Sequence, residues 1–179
     1  MSDFVEFLEE YLHERLADID IGMIGKIETF DSKKMRADVI PLLKKKSSDQ
    51  EIEYSIIKDV PVCFLFSGGF YIRPAYQQRD LVYITFSTHD IEQALKEEIS
   101  LASERIFCSD NALIVGSVAK TDWEPPDEFS EDGLLIGHKN GKVFTHYKED
   151  EIIHKVGQTT FKMTDSEVNI NDGALIVEK

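Results

Sequence analysis

The amino-acid sequence predicts an all-β protein headed by a single helix. Three observations carry that expectation. Over most of the chain, apolar residues alternate with polar ones or gather in short blocks bounded by Gly, Pro, Asn and Asp. The stretch "AKTDWEPPDEFSEDG" interrupts this pattern with two adjacent prolines and a run of acids, so it reads as a stiff, solvated connector. Past it the strands shorten and large apolar residues thin out. The implied parts are a helix over 1–20, a barrel over 21–118, a linker over 119–131 and a strand array over 132–179.

The helix comes first because Phe4, Leu8, Tyr11, Leu12 and Leu16 recur on one face behind a Ser2 or Asp3 cap. Phe4, Leu8, Leu12 and Leu16 make that face a candidate docking surface, with packing on the chain's own barrel as the other use. "IGMIGKIETFDSKKMRADVIPLL" then gives strands Ile21 to Phe30 and Met35 to Leu43 about a turn at Asp31-Ser32. "KKKSSDQEIEY" is a polar loop, and Glu51 to Ile57 alternates well enough to return as a strand. Val62 to Phe66 reads as a strand turning at Gly68-Gly69 into Phe70 to Arg73, where Pro74 removes a ladder donor. Asp80 to Phe86 follows with both faces apolar, which predicts cover on both. "STHDIEQALKEEIS" predicts a short helix with Ile91, Ala94, Leu95 and Ile99 on one face, and Ala112 to Val118 a closing strand. This order and length suit a small OB-like Greek-key barrel.

The last segment is a series of brief strands separated by Lys139-Asn140-Gly141, Gly157-Gln158, Thr164-Asp165-Ser166 and Asn171-Asp172-Gly173. Phe161 with Met163, Val168 with Ile170, and Leu175 with Val177 each form an apolar stripe. So small a segment cannot offset about 1–2 kcal/mol of backbone entropy per residue by its own burial. Winding around other copies would close its edges and pool its stripes, so these six residues are the candidate core of an intertwined homo-oligomer.

Composition excludes several functions. The chain has 179 residues, 34 acidic and 20 basic, for a formal charge of −14. Such a surface repels phosphate backbones and anionic lipids. No apolar run reaches the ~18 residues of a membrane span, and "MSDFVEFLEE" lacks the basic start of a signal peptide, so the expectation is synthesis in the cytoplasm. Phe64, Phe66, Phe70, Tyr71, Tyr76 and Tyr83, with Arg73 and Arg79 nearby, could stack single-stranded nucleic acid, but they read as strand-interior core. Cys63 and Cys108 read as reduced thiols, with Cys63 buried. Ser67, His89, Cys108 and Asp110 have no catalytic motif around them, so no enzyme is expected.

In the order of its pieces the chain resembles the central membrane-puncturing spike of contractile phage tails and related injection machines. The likeness rests on "IGMIGKIETFDSKKMRADVIPL", "KDVPVCFLFSGGFYIRPAYQQRDLVYITFS" and "RIFCSDNALIVGS", followed by a repetitive β tail. It implies an N-terminal OB-like domain followed by a triple-stranded β-helix, three chains forming a needle, and the baseplate hub and tail tube as partners. It implies a virion or injection-particle location and a membrane crossed mechanically rather than bound. A purely structural hub adaptor would share the architecture. Two positions depart from the family: Arg79 stands where a glycine is usual before Asp80, and Phe107 where a histidine is expected. Many relatives hold an iron at the tip with a His-x-His pair, which this chain lacks, so no metal or cofactor is assigned. His138, His146 and His154 recur every eight residues and read as outward-facing. "GALIVEK" offers no pointed cap, which leaves a blunt needle or one completed by a separate tip protein. Three copies would carry three times −14, or −42, which disfavours spontaneous adsorption to an anionic membrane.

Overall fold

In the computed structural model, residues 2–17, 21–47, 50–99, 108–125 and 132–178 are described. The chain divides into two units, 1–120 and 121–179. The first contains α1 (Ser2–Ala17), β1 (Gly22–Asp31), β2 (Arg36–Pro41), β3 (Lys44–Ser47), β4 (Gln50–Glu53), β5 (Ile57–Pro61), β6 (Leu65–Ser67), β7 (Phe70–Ile72), β8 (Leu81–Phe86), α2 (Glu92–Leu95) and β9 (Ala112–Val118). Five strands form one antiparallel sheet in the order β5-β2-β1-β8-β9, while β3-β4 and β6-β7 are separate two-stranded hairpins. The large sheet curls into a half-barrel, and Val62, just past β5, bridges in parallel to Ile114 on β9.

Period-two sequence patterns explain the core. On β1 and β2 the inward positions Met23, Ile27, Ala37 and Val39 are buried, and they meet Val82, Ile84 and Phe86 of β8 and Ala112 and Ile114 of β9. Register shifts at Ile27/Thr29, Ala37/Val39 and Tyr83/Ile84 are the irregularities that bend an otherwise flat sheet. Gly25 is required by close approach, because a Cβ there would collide with Val39 Cγ1. The β1–β2 turn is held by Asp31 Oδ1, which accepts the Lys33 and Lys34 amides at 2.9 and 3.0 Å. Those amides, Lys34's first, lower the Asp31 carboxyl below its ordinary value.

Several expectations are corrected. The barrel strand in the proline-valine region is β5, not the Val62 to Phe66 run. Asp59 interrupts its alternation with φ of 55°, leaving Ile57 and Val60 buried and Lys58 and Asp59 exposed between them. Arg36 fixes that kink through Asp59 O at 2.8 Å and Asp59 Oδ2 at 3.0 Å. β8 is covered on one face only, since Tyr83 is exposed. The predicted helix after Ser87 shrinks to four residues, α2, with Ile91 buried beside it and Ala94, Leu95 and Ile99 exposed. Cys63 is exposed, not buried. Phe107 and residues 126–131 of the connector lie outside the described residues.

Arg79, which stands where the resemblance calls for a glycine, holds φ of 76°, a left-handed conformation that L side chains resist. It is held there because its amide donates to Ile27 O at 2.8 Å while Ile27 N donates to Asp80 O at 2.9 Å. Arg79→Gly relieves the Cβ strain and gives back part of the gain as unfolded-chain entropy. The expected net is about 0.5–1 kcal/mol of added stability, or roughly 1–4 °C in a thermal melt. A lowered melting temperature would contradict this.

The second unit is one six-stranded antiparallel meander in sequence order: β10 (Leu134–Gly137), β11 (Val143–Tyr147), β12 (Glu151–Val156), β13 (Thr159–Thr164), β14 (Glu167–Ile170) and β15 (Leu175–Glu178). Its turns carry left-handed Gly141, Gly157, Asn171, Asp172 and Gly173, all at expected breakers. The ladder bonds run between neighbouring strands of the same chain, so only β10 and β15 present an edge.

Candidate assembly surfaces

Among the described residues, no group of His, Cys, Asp and Glu is placed to hold a metal ion. The features that stand out are apolar surfaces without cover, at three places.

The first is one face of the meander. Residues directly opposite in an antiparallel ladder share a face. The register therefore aligns Leu134, Tyr147, Ile152, Met163, Val168 and Val177 in one row across all six strands. A second row runs Ile136, Thr145, His154, Phe161, Ile170 and Leu175. All six residues expected to form an oligomer core lie in these rows. Phe161, Val168 and Ile170 are half-buried, and Met163, Leu175 and Val177 are exposed. Reasoning from local stripes missed Leu134, Ile136, Tyr147 and Ile152, because their membership depends on register between strands.

The opposite face is mixed: it carries Leu135, Phe144, Ile153 and Ile176 among charged and polar side chains that find partners within the chain. Glu151 pairs with Lys162 and, at 3.1 Å, with Lys148. Lys155 Nζ lies 5.7 Å from the centre of the Phe144 ring. His146, expected to face outward, is instead 2% exposed on this side, with Nε2 2.7 Å from Asp132 O, to which it donates. His138 and His154 are exposed, and His154 Nδ1 lies 2.9 Å from Thr145 Oγ1 on the apolar face.

The lysines, Lys162 first and then Lys148, hold the Glu151 carboxyl below its usual value of 4.5. A depressed folded-state value means that the carboxylate stabilises the sheet above pH 4.5, and that this contribution is lost as pH falls through the lower folded value. Glu151→Gln is therefore expected to lower the melting temperature at pH 7 and to match the parent at the acid end of that window. A deficit that persists unchanged into acid would contradict the pairing.

The second surface is α1. Phe4, Leu8 and Leu12, three of the four residues of the candidate docking face, are exposed, as are Val5, Phe7 and Tyr11. The Leu16 side chain lies outside the described residues. Phe7 and Tyr11 stack with centroids 6.3 Å apart. The third surface is the β6-β7 hairpin, where Leu65, Phe66, Phe70, Tyr71 and Ile72 are 59–84% exposed. Of the six aromatics expected in strand interiors, Phe66, Phe70, Tyr71 and Tyr83 are thus on the surface. Tyr76 packs edge-on against Phe30 at 5.5 Å, and burial raises its hydroxyl pKa.

No match is found among curated proteins. A family model described as the phage protein Gp138 N-terminal domain matches residues 23–116, from the second residue of β1 to the middle of β9. That span covers more than half of the chain and takes in every strand of the half-barrel. The chain therefore belongs to the family of the phage protein Gp138 N-terminal domain.

Proposed function

We propose that the protein is a non-enzymatic structural spike of a phage tail baseplate or related injection particle, acting as a homotrimer that pierces the target envelope under sheath contraction. The observation that carries this reading is the unbroken apolar row from Leu134 to Val177. A sheet with a continuous apolar row on one face needs a second layer over it. The opposite face of the same sheet cannot supply it, whereas three such sheets turned inward would close a three-sided rod, as in the triple-stranded β-helix of the resemblance. Phe161, Met163, Val168, Ile170, Leu175 and Val177 would then form its axis.

Membership in a phage protein family supports the setting, and the five-stranded, partly closed Greek-key order supports an OB-type base for the rod. A closed β rod leaves no lateral edge to open under axial load, so it can transmit force that contraction supplies. The exposed stripe Phe4, Leu8 and Leu12 on α1 would dock the base onto the hub and tail tube. In this reading the membrane is crossed mechanically, and no metal or cofactor takes part.

Immunogold electron microscopy of the phage that carries this protein tests the role. Label at the far end of the tail is expected. Label confined to the capsid, or absent from intact particles, would contradict it.

A further inference from the structure

The β6-β7 hairpin is unusual in being apolar on both sides. Its register pairs Leu65 with Ile72, Phe66 with Tyr71 and Ser67 with Phe70. Leu65, Phe70 and Ile72 therefore form the front, while Phe66 and Tyr71 form the back together with the half-buried Phe64. On the back, Phe66 and Tyr71 stack at 6.4 Å, and Phe64 meets them edge-on at 6.1 and 6.5 Å. Gly68 and Gly69, both at positive φ, make the turn in open space. A two-stranded hairpin alone is marginal in water, so one with two bare apolar faces calls for cover on both.

We propose that this hairpin joins copies of the chain into a closed ring, each hairpin wedged front to back between those of its two neighbours. The two faces decide the symmetry. A two-fold dimer covers one patch with itself and leaves the other bare, whereas a head-to-tail ring covers both. Each contact of the ring buries the front of one hairpin and the back of the next. At roughly 200 Å² per large apolar side chain, the five exposed residues supply about 700 Å² for both partners together. That is under half of the ~1,600 Å² of a free-standing interface, so the hairpin contact adds to the meander contact rather than replacing it.

Charge points the same way. Val60 to Arg79 is the longest stretch of the chain without an acidic residue, and it carries Arg73 and Arg79. Copies with a formal charge of −14 repel one another elsewhere, but hairpins can approach without carboxylates facing each other. Arg73 Nη1 donates to Ser32 O at 3.1 Å, which ties the hairpin base to the β1–β2 turn. The proposal rests on the homo-oligomer reading above and adds a second contact, in the barrel unit.

Cross-linking of the full chain tests it. In a Cys63→Ser, Cys108→Ser background, Leu65→Cys marks the front and Tyr71→Cys the back. With a short bis-maleimide, neither single variant should link to itself, the two co-expressed should give covalent dimers, and the double variant should give a covalent ring of three chains. Phe66→Ser with Phe70→Ser should raise the dissociation concentration of the oligomer by tenfold or more.

If the double variant stays single while the native mass is that of an oligomer, the ring is wrong and the homo-oligomer reading stands. If the untreated protein is a single chain, that reading fails as well. Self-linking of one single variant would overturn the ring in favour of a two-fold dimer. Binding to phosphatidylcholine vesicles or to oligothymidylate that the Phe66→Ser, Phe70→Ser variant loses would overturn it in favour of lipid or nucleic acid.

Discussion

Val168→Asp is expected to break the assembly into single chains, whereas Asn169→Asp, one residue along the same strand, leaves it intact. The two substitutions differ in the face they charge. Val168 sits in the apolar row between Met163 and Val177, and Asn169 opposes Lys162 and Ile176 on the other side. A carboxylate forced into the interface has no partner there and meets its symmetry copies. At about 3–5 kcal/mol per uncompensated buried charge, association should weaken at least roughly 100-fold. Asn169→Asp keeps the oxygen that accepts the Gly173 amide at 2.8 Å, so the β14–β15 turn survives. Sedimentation at matched concentrations separates the outcomes. Equal masses for the two variants would place the interface somewhere other than this face.

The second large effect belongs to the half-barrel. Ile84 is fully buried in the middle of β8, opposite Met23 on one side and Ile114 on the other. Its side chain therefore lies where three strands meet, with little room to collapse around a void. Ile84→Ala is expected to cost about 2–5 kcal/mol and to lower the melting temperature by roughly 5–20 °C. Val115→Ala, at an exposed position on β9, should change stability by less than about 0.5 kcal/mol. Comparable losses at the two sites would mean that the core does not run through β8.

These predictions separate what local sequence encodes from what it does not. β1, β2, β8 and β9 were legible as strands from their apolar alternation, although on β8 the expected cover of both faces fails at Tyr83. β5 was not, because Asp59 turns left-handed and puts two exposed residues between Ile57 and Val60. The Val62 to Phe66 run shows the converse error. Apolar content there signals strand formation but not cover, and its last two residues belong to an exposed hairpin.

The candidate site was half legible for a related reason. Stripes such as Phe161 with Met163 follow from alternation within one strand. The row through Leu134, Tyr147 and Ile152 requires pairing between strands, which hinges on turns such as Lys148 to Asp150 that carry no glycine. His146 is buried through its bond to the Asp132 carbonyl, a backbone partner that spacing of histidines cannot reveal.

The most direct measurement is the solution mass of the intact, untagged protein by light scattering at micromolar concentration. The account predicts three chains, since the apolar face of the meander is covered only by other copies. A single-chain mass that holds as concentration rises would contradict it, because the face would then be stable in water or covered by the chain itself.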